Sequence, residues 1–179
     1  AHEFSGAIVL ARRGRVVYER GFGFADHAAQ RPFTPDTAAD GGSLAKTFTA
    51  AGVMWLVHEG RLALEAPVKH HVPAYPHAAT TVRDLLAHSN GLPPYYEWFD
   101  AHFGKDEVRT TAGLLAAVAR HQPQPSFAPG TRFEYSNPGY DAAALVIEAV
   151  TGQHYEQFVA ERFFQPLGLS ASFARPARL

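Results

Sequence analysis

The sequence predicts an α+β chain, an N-terminal β-hairpin followed by a mainly helical region, and three stretches carry that prediction. The first is "GAIVLARRGRVVYERGFGFAD", two β-prone runs around a glycine. The second is "SLAKTFTAAGVMWLVH", apolar for longer than an ordinary strand. The third is "NPGYDAAALVIEAVTG", in which Ala142, Leu145, Val146, Ala149 and Val150 recur at the spacing of one helix face.

Taken in order, the first stretch reads as strands at Ala7–Leu10 and Val16–Phe24, joined at Gly14. A lone hairpin is marginal in water and exposes both edges, so these strands need partners. "QRPFTPDTAADGG" has two prolines and no apolar run, and reads as a loop. The helix from Ser43 to His58 stops at Gly60. Past its first turn it has almost no polar face, which predicts central burial. "GRLALEAPV" reads as extended, and a His- and Pro-rich loop follows. "TTVRDLLAHSNGLPP" is a short helix with Thr81 and Asp84 in capping-box spacing, stopped by Asn90-Gly91 and Pro93. "TTAGLLAAVARH" is a helix, "QPQPSFAPG" a loop, and the helix at 137–151 closes at Gly152. "HYEQFVAERFFQPLGL" is a last helix, stopped by Pro166.

With 179 residues, 46% of them hydrophobic, the chain can bury one core. A net charge of −1 without a basic stripe argues against nucleic acid as a partner. The absence of Cys excludes disulfides and thiol catalysis. No charged and apolar leader is legible, as expected of a mature exported protein or a cytosolic one, with a lean towards the periplasm or secretion. No apolar run predicts a membrane span. The 10 His are scattered without HExxH spacing, and His70, His71 and His77 read as solvated loop. Neither a metal nor a cofactor is expected.

Chemistry concentrates at two places. Ser43 stands three residues before Lys46 at the front of the apolar helix. Serine is a poor nucleophile without a nearby base, and a lysine at i+3 lies on the same side of the helix. A helix start adds free N–H groups and a positive dipole end, and burial would push the lysine pKa down. The second place is Tyr135-Ser136-Asn137, before the next long helix. A chain of this composition gives ~0.1 chance matches to the first spacing and ~0.08 to the second. A phenol beside a lysine has a lowered pKa and can pass protons, and the Asn137 amide can orient the lysine or hold a carbonyl.

Each residue also has a plain structural reading. Ser43 and Lys46 could be a helix cap and a surface lysine lying along apolar surface. Tyr135 could anchor a turn, and Asn137 could cap the helix at Pro138 alongside any catalytic role. His88 is placed to close the end of its helix, a reading preferred to a triad histidine. Tyr95, Tyr96, Trp98 and Phe99 either line a cleft or pin their loop to the core, and the second is preferred.

The Ser43/Lys46 and Tyr135/Asn137 pairs resemble the S-x-x-K and Y-x-N signatures of serine β-lactamase-like proteins, that is class C β-lactamases, DD-peptidases and related esterases. "PFTPDT", "KTFTAAGVMWLVHEGRLAL", "TVRDLLAHSNGLP", "FAPGTRFEYSNPGYDAAALVIEAVTG" and "FVAERFFQPLGL" also resemble family segments, in the family's order. The resemblance implies a β-lactamase/transpeptidase-like fold and a serine hydrolase. Its substrate would be an ester, a β-lactam or a D-Ala-D-Ala-type amide. Ser43 would be the acylated nucleophile, with Lys46 and Tyr135 sharing its activation and Asn137 contacting Lys46 and substrate. The Ser43 backbone N–H would be one oxyanion donor.

Two departures stand out. "AADGG" before Ser43 is smaller and more polar than the family's apolar approach. The family's third motif, Lys/His-Ser/Thr-Gly on a central strand, has no match: "HEG" ends a helix and "HSNG" is one residue too long. That strand belongs to the sheet the hairpin joins. The expectation is therefore a single, incomplete catalytic domain over 1–179, with a sheet hairpin at 1–26 and a helical part at 43–179. A second chain or a C-terminal segment would complete the sheet. Two other readings stay open. "GGSLA" is near a nucleophile elbow but lacks the preceding apolar strand. The chain could also be a truncated or inactive fragment that serves only as a binding or structural unit.

Overall fold

The N-terminal strands turn at Arg13-Gly14, and both residues sit at positive φ, 50° and 75°. Positive φ at both central residues is what a two-residue type I′ hairpin turn requires, because its twist matches that of the flanking strands. In the computed structural model, which describes residues 4–93, 98, 101 and 111–169, this turn joins β1 (Gly6–Arg12) to β2 (Arg15–Phe22) in antiparallel register. Contacts divide the chain into two compact units, Ala1–Gly41 and Gly42–Leu179.

Within the first unit, the predicted second strand breaks at Gly23, which adopts φ 66°. Beyond it β3 (Phe24–Asp26) pairs with β4 (Arg31–Pro32), two residues expected to lie in a loop. Asp26 holds the intervening turn by accepting the Ala29 N–H at 3.0 Å, a local bond that hydropathy does not reveal. Each of the two sheets has two strands among the described residues. Ile8, Val9, Leu10, Val16, Val17 and Tyr18 of the hairpin are exposed. Such a surface is what unpartnered strands present.

The second unit is helical. A 3₁₀ turn (Gly42–Leu44) leads into α1 (Ala45–His58). Then follow α2 (Val68–His71), α3 (Val82–Leu86), α4 (Thr111–His121) and α5 (Asn137–Thr151). The last, α6 (Tyr155–Val159), continues as a π-helical turn (Ala160–Phe164). No described helix is long and apolar enough to cross a membrane.

The central element is α5, which packs against α1, α2, α3, α4 and α6. Ala142, Ala143, Ala144, Val146 and Ile147 are buried, whereas Ala149 of the predicted stripe is exposed. The three alanines give neighbouring helices close approach on more than one side, so the buried face is wider than the periodicity indicates. The reverse holds for α1. Thr49, Gly52, Val53 and Leu56 are buried, but Met54 and Trp55 are exposed, so central burial is not observed. Trp55 is held at the surface by its polar edge: its indole N–H donates to Glu59 at 2.7 Å, and Arg162 lies over the ring at 5.7 Å.

"GRLALEAPV" forms no strand; one bridge, Pro67 with Thr81, marks it instead. Its carbonyls receive the first turn of α3, Val82 N–H on Ala66 and Arg83 N–H on Leu64. The expected His-rich loop contains α2, with Val68 in the core. At Thr81 the capping box forms as read: Thr81 Oγ1 accepts the Asp84 N–H and Asp84 accepts the Thr81 N–H. Trp98 packs against the helical core, 6.0 Å from the His121 ring, in keeping with the structural reading. Tyr95, Tyr96 and Phe99 lie outside the described residues, as does Thr110 at the start of the helix predicted there.

Candidate active site

Ser43 sits in the 3₁₀ turn and Lys46 in the first turn of α1, so the helix start brings both to one side. Lys46 Nζ donates to Ser43 Oγ at 3.1 Å. From the far side of the sequence, Tyr135 Oη meets the same Oγ at 2.6 Å. The Lys46 ammonium nitrogen also lies 4.9 Å from the Tyr135 ring centre and 5.7 Å from that of Tyr140. Three groups distant in sequence thus converge on one oxygen. Ser43 is exposed and Tyr135 is 50% exposed, so the oxygen is open to a reactant. Lys46 is half-buried rather than buried.

Hydrogen bonding to Lys46, then to Ser43, and after these the charge of Lys46, hold the Tyr135 phenol below its ordinary pKa. Either oxygen can donate across the 2.6 Å contact. A proton can therefore pass between hydroxyl and phenol without rearrangement.

Tyr135 reaches Ser43 because the loop before α5 is tied to the chain after α3. Glu134 N–H donates to the His88 carbonyl at 2.8 Å, and Ser136 N–H donates to His88 Nδ1 at 3.0 Å. The imidazole stacks on the Tyr135 ring, centres 4.6 Å apart and 29° between planes. His88 takes the left-handed conformation, φ 55°, just beyond the end of α3, so it does close that helix. Among the described residues no hydrogen bond joins it to Ser43. Burial, and then the Lys46 charge, keep its pKa below the ordinary histidine value.

Asn137 opens α5, but the cap is Ser136, whose Oγ accepts the Gly139 N–H at 3.1 Å. The expectation of an Asn137 cap is corrected accordingly: Ser136 has the extended backbone a cap needs, while Asn137 is already helical. Among the described residues no hydrogen bond joins Asn137 to Lys46. Ser136 also donates to Asn90 Oδ1 at 3.4 Å, and that oxygen accepts the Leu92 N–H at 2.9 Å.

Asp141 was not singled out by sequence. Burial raises its pKa to about 6, and the Lys46 cation opposes the rise. Its spacing from Asn137, one helical turn, is the sequence signal by which it could have been found. The described residues contain no group of His, Asp and Glu able to hold a metal ion.

Relatives share this arrangement of elements. The chain is 31% identical to penicillin-binding protein 4* of Bacillus subtilis, over 99% of its own length and 40% of the relative's. Among solved structures, the octameric penicillin-binding protein homologue of Pyrococcus abyssi matches with 35% identity and a TM-score of 0.80, covering 92% of this chain and 39% of that one. The D-amino acid amidase of Ochrobactrum anthropi matches with 32% identity and a TM-score of 0.78, covering 92% and 46%. This chain therefore spans less than half the length of these relatives, and its α+β fold is of the β-lactamase and penicillin-binding protein type. The Beta-lactamase family model matches residues 1–178, and the chain belongs to that family.

Proposed function

We propose that this protein is a serine hydrolase acting through a covalent ester on Ser43, with an ester, a β-lactam or a D-Ala-D-Ala-type amide as substrate. The observation that carries the reading is the convergence of Lys46 Nζ at 3.1 Å and Tyr135 Oη at 2.6 Å on Ser43 Oγ. Ser43 Oγ attacks the substrate carbonyl carbon as its proton passes to the phenolate of Tyr135, with Lys46 sharing in the activation. The carbon–oxygen π pair moves onto the carbonyl oxygen, where the Ser43 backbone N–H stabilises it. Collapse expels the leaving group, which takes the same proton back, and water releases the acyl group by the reverse transfer. Asn137, with no partner of its own described, is available to hold the substrate carbonyl.

The named activities of relatives fit this class: a D-amino acid amidase, and EstCE1, a hydrolase with promiscuous acyltransferase activity that is 27% identical. The exposed hairpin residues support pairing with further strands, from a second chain or another segment of the protein.

The test is covalent labelling. The protein is incubated with a fluorophosphonate and with a labelled penicillin, then weighed and mapped. Mass gain on Ser43, abolished in Ser43→Ala, is the expected result. A folded sample that gains no mass from either reagent, or gains it elsewhere, removes Ser43 from the chemistry.

A further inference from the structure

We propose that His88 is the positioning residue for Tyr135, acting as a neutral imidazole with its proton on Nε2 and gripping residues 134–136 at three points. The inference rests on the serine hydrolase reading above for its consequence, though not for its geometry. The three points flank the phenol-bearing residue: the His88 carbonyl takes the N–H before it, Nδ1 takes the N–H after it, and the ring stacks on Tyr135 itself. Because Nδ1 accepts from Ser136, it carries no proton, which fixes the tautomer.

Closing a helix needs none of this. A left-handed residue after α3 asks only for a backbone conformation that glycine or asparagine adopts more readily. A histidine held there at φ 55° supplies what those residues lack, an aromatic face and a ring acceptor aimed at the next segment. The face matters because Tyr135 is half exposed and has little core packing to hold its ring. His88 also meets Tyr140, centres 5.0 Å apart, and the Tyr140 hydroxyl is anchored on the Leu86 carbonyl at 3.1 Å. Phe133 meets the imidazole edge-on at 5.7 Å. The imidazole is thus itself fixed and can transmit that order to the phenol.

The test uses His88→Asn, which tolerates the left-handed backbone and keeps an acceptor but loses the ring, and His88→Phe, which keeps a ring but loses the acceptor. Two quantities are read: the rate of Ser43 acylation, and the ionisation of Tyr135 followed by ¹³Cζ-tyrosine NMR. In both variants acylation is expected to slow, on the order of 10²-fold for a displacement near 1 Å. The Tyr135 titration should return towards that of an ordinary phenol, because its distance from Lys46 and Ser43 grows. A variant that folds with both quantities unchanged overturns the proposal. Should neither variant fold, ¹⁵N NMR of His88 in the parent protein decides: a bare Nδ1 at neutral pH supports it, and a protonated Nδ1 overturns it. If the parent never labels on Ser43 but the Tyr135 titration still moves with His88, the hydrolase reading fails while the positioning role stands.

Discussion

Gly139→Ala probes the frame behind Tyr135. A Cβ added at residue 139 falls 2.4 Å from Asn90 Nδ2 and 3.3 Å from both Asn90 Cγ and Ser136 Oγ. Non-bonded heavy atoms settle at roughly 3.5–4.0 Å, so one side has to give by about 1 Å. Asn90 is fully buried, and its Oδ1 is held by the Leu92 N–H at 2.9 Å and the Ser136 hydroxyl at 3.4 Å. Movement of the side chain therefore breaks a buried bond, and movement of α5 disturbs the core. Overpacking of this kind costs about 1–3 kcal/mol. Replacing glycine by alanine in a helix returns at most ~1 kcal/mol. The net expectation is a loss of about 1–2 kcal/mol.

Urea unfolding reads this as a lower midpoint with an unchanged slope. Asn90→Ala supplies the control. It makes room for the methyl group but strips the acceptor from two donors, at about 1–3 kcal/mol. In that background Gly139→Ala loses its clash, so the double variant should lose less stability than the two single losses summed, by at least ~0.5 kcal/mol. Strict additivity, or a Gly139→Ala protein as stable as its parent, would refute the close-packing argument.

Tyr135→Phe should slow acylation of Ser43 by about 10²–10⁴-fold while leaving the urea midpoint in place, because the ring stack survives and only an exposed hydroxyl goes; stopped-flow labelling and unfolding curves check the two halves. Asp141 has a folded pKa raised to about 6 from 3.8. The folded state therefore binds the extra proton between those values, and the stability this group contributes at low pH is lost as pH rises through about 6. Asp141→Asn should accordingly stabilise the protein at pH 7–8, on the order of 3 kcal/mol, and have little effect near pH 3; thermal melts across that range show the crossover or its absence. Ser136→Ala removes the acceptor of the Gly139 N–H and the donor to Asn90, and should cost about 1–2 kcal/mol, measured by urea unfolding, with slower Ser43 acylation as the second readout.

The chemistry of this chain was more legible than its packing. Ser43 and Lys46 stood out because a hydroxyl and an amine one helical turn apart is a rare local pattern, and local patterns survive translation into structure. Tyr135 and Asn137 stood out for the same reason. What joins Tyr135 to Ser43 across 92 positions is not local. It depends on the His88 carbonyl and ring meeting residues 134 and 136, and no periodicity encodes that. The capping box at Thr81 was legible, being complete within four residues. The β3–β4 pair was not, because an Asp26 side chain rather than hydropathy makes its turn. Burial went wrong in opposite directions on α1 and α5. An apolar composition reports what a residue can bury, whereas Trp55 stays outside on a polar partner and Ala143 goes inside because it is small.

The site combines exposed chemistry with a buried polar support, and the two have different sensitivities. Ser43 and Tyr135 face solvent, so apolar packing contributes little to their separation. Order has to come from directional bonds instead. Asp84, Asn90 and Ser136 are the buried polar residues that supply them. Asp84 accepts from Thr81 and from the Ser89 hydroxyl at 2.9 Å, the Ser89 carbonyl accepts the Gly130 N–H at 2.8 Å, and Gly91 accepts the Ser126 N–H at 2.9 Å. The segment from 84 to 92 is thereby tied to the segment from 126 to 139 at several points. The buried Asp84 carboxyl, with no cation partner among the described residues, is tolerated there because hydrogen bonds surround it. Trimming a core side chain such as Ile147 should lower the stability of the helical unit while sparing the 2.6 Å contact in molecules that remain folded. Loosening the polar support should do the reverse, lengthening that contact before the helices separate. Catalytic and thermodynamic losses are then separable by position, which a site held only by hydrophobic packing would not allow.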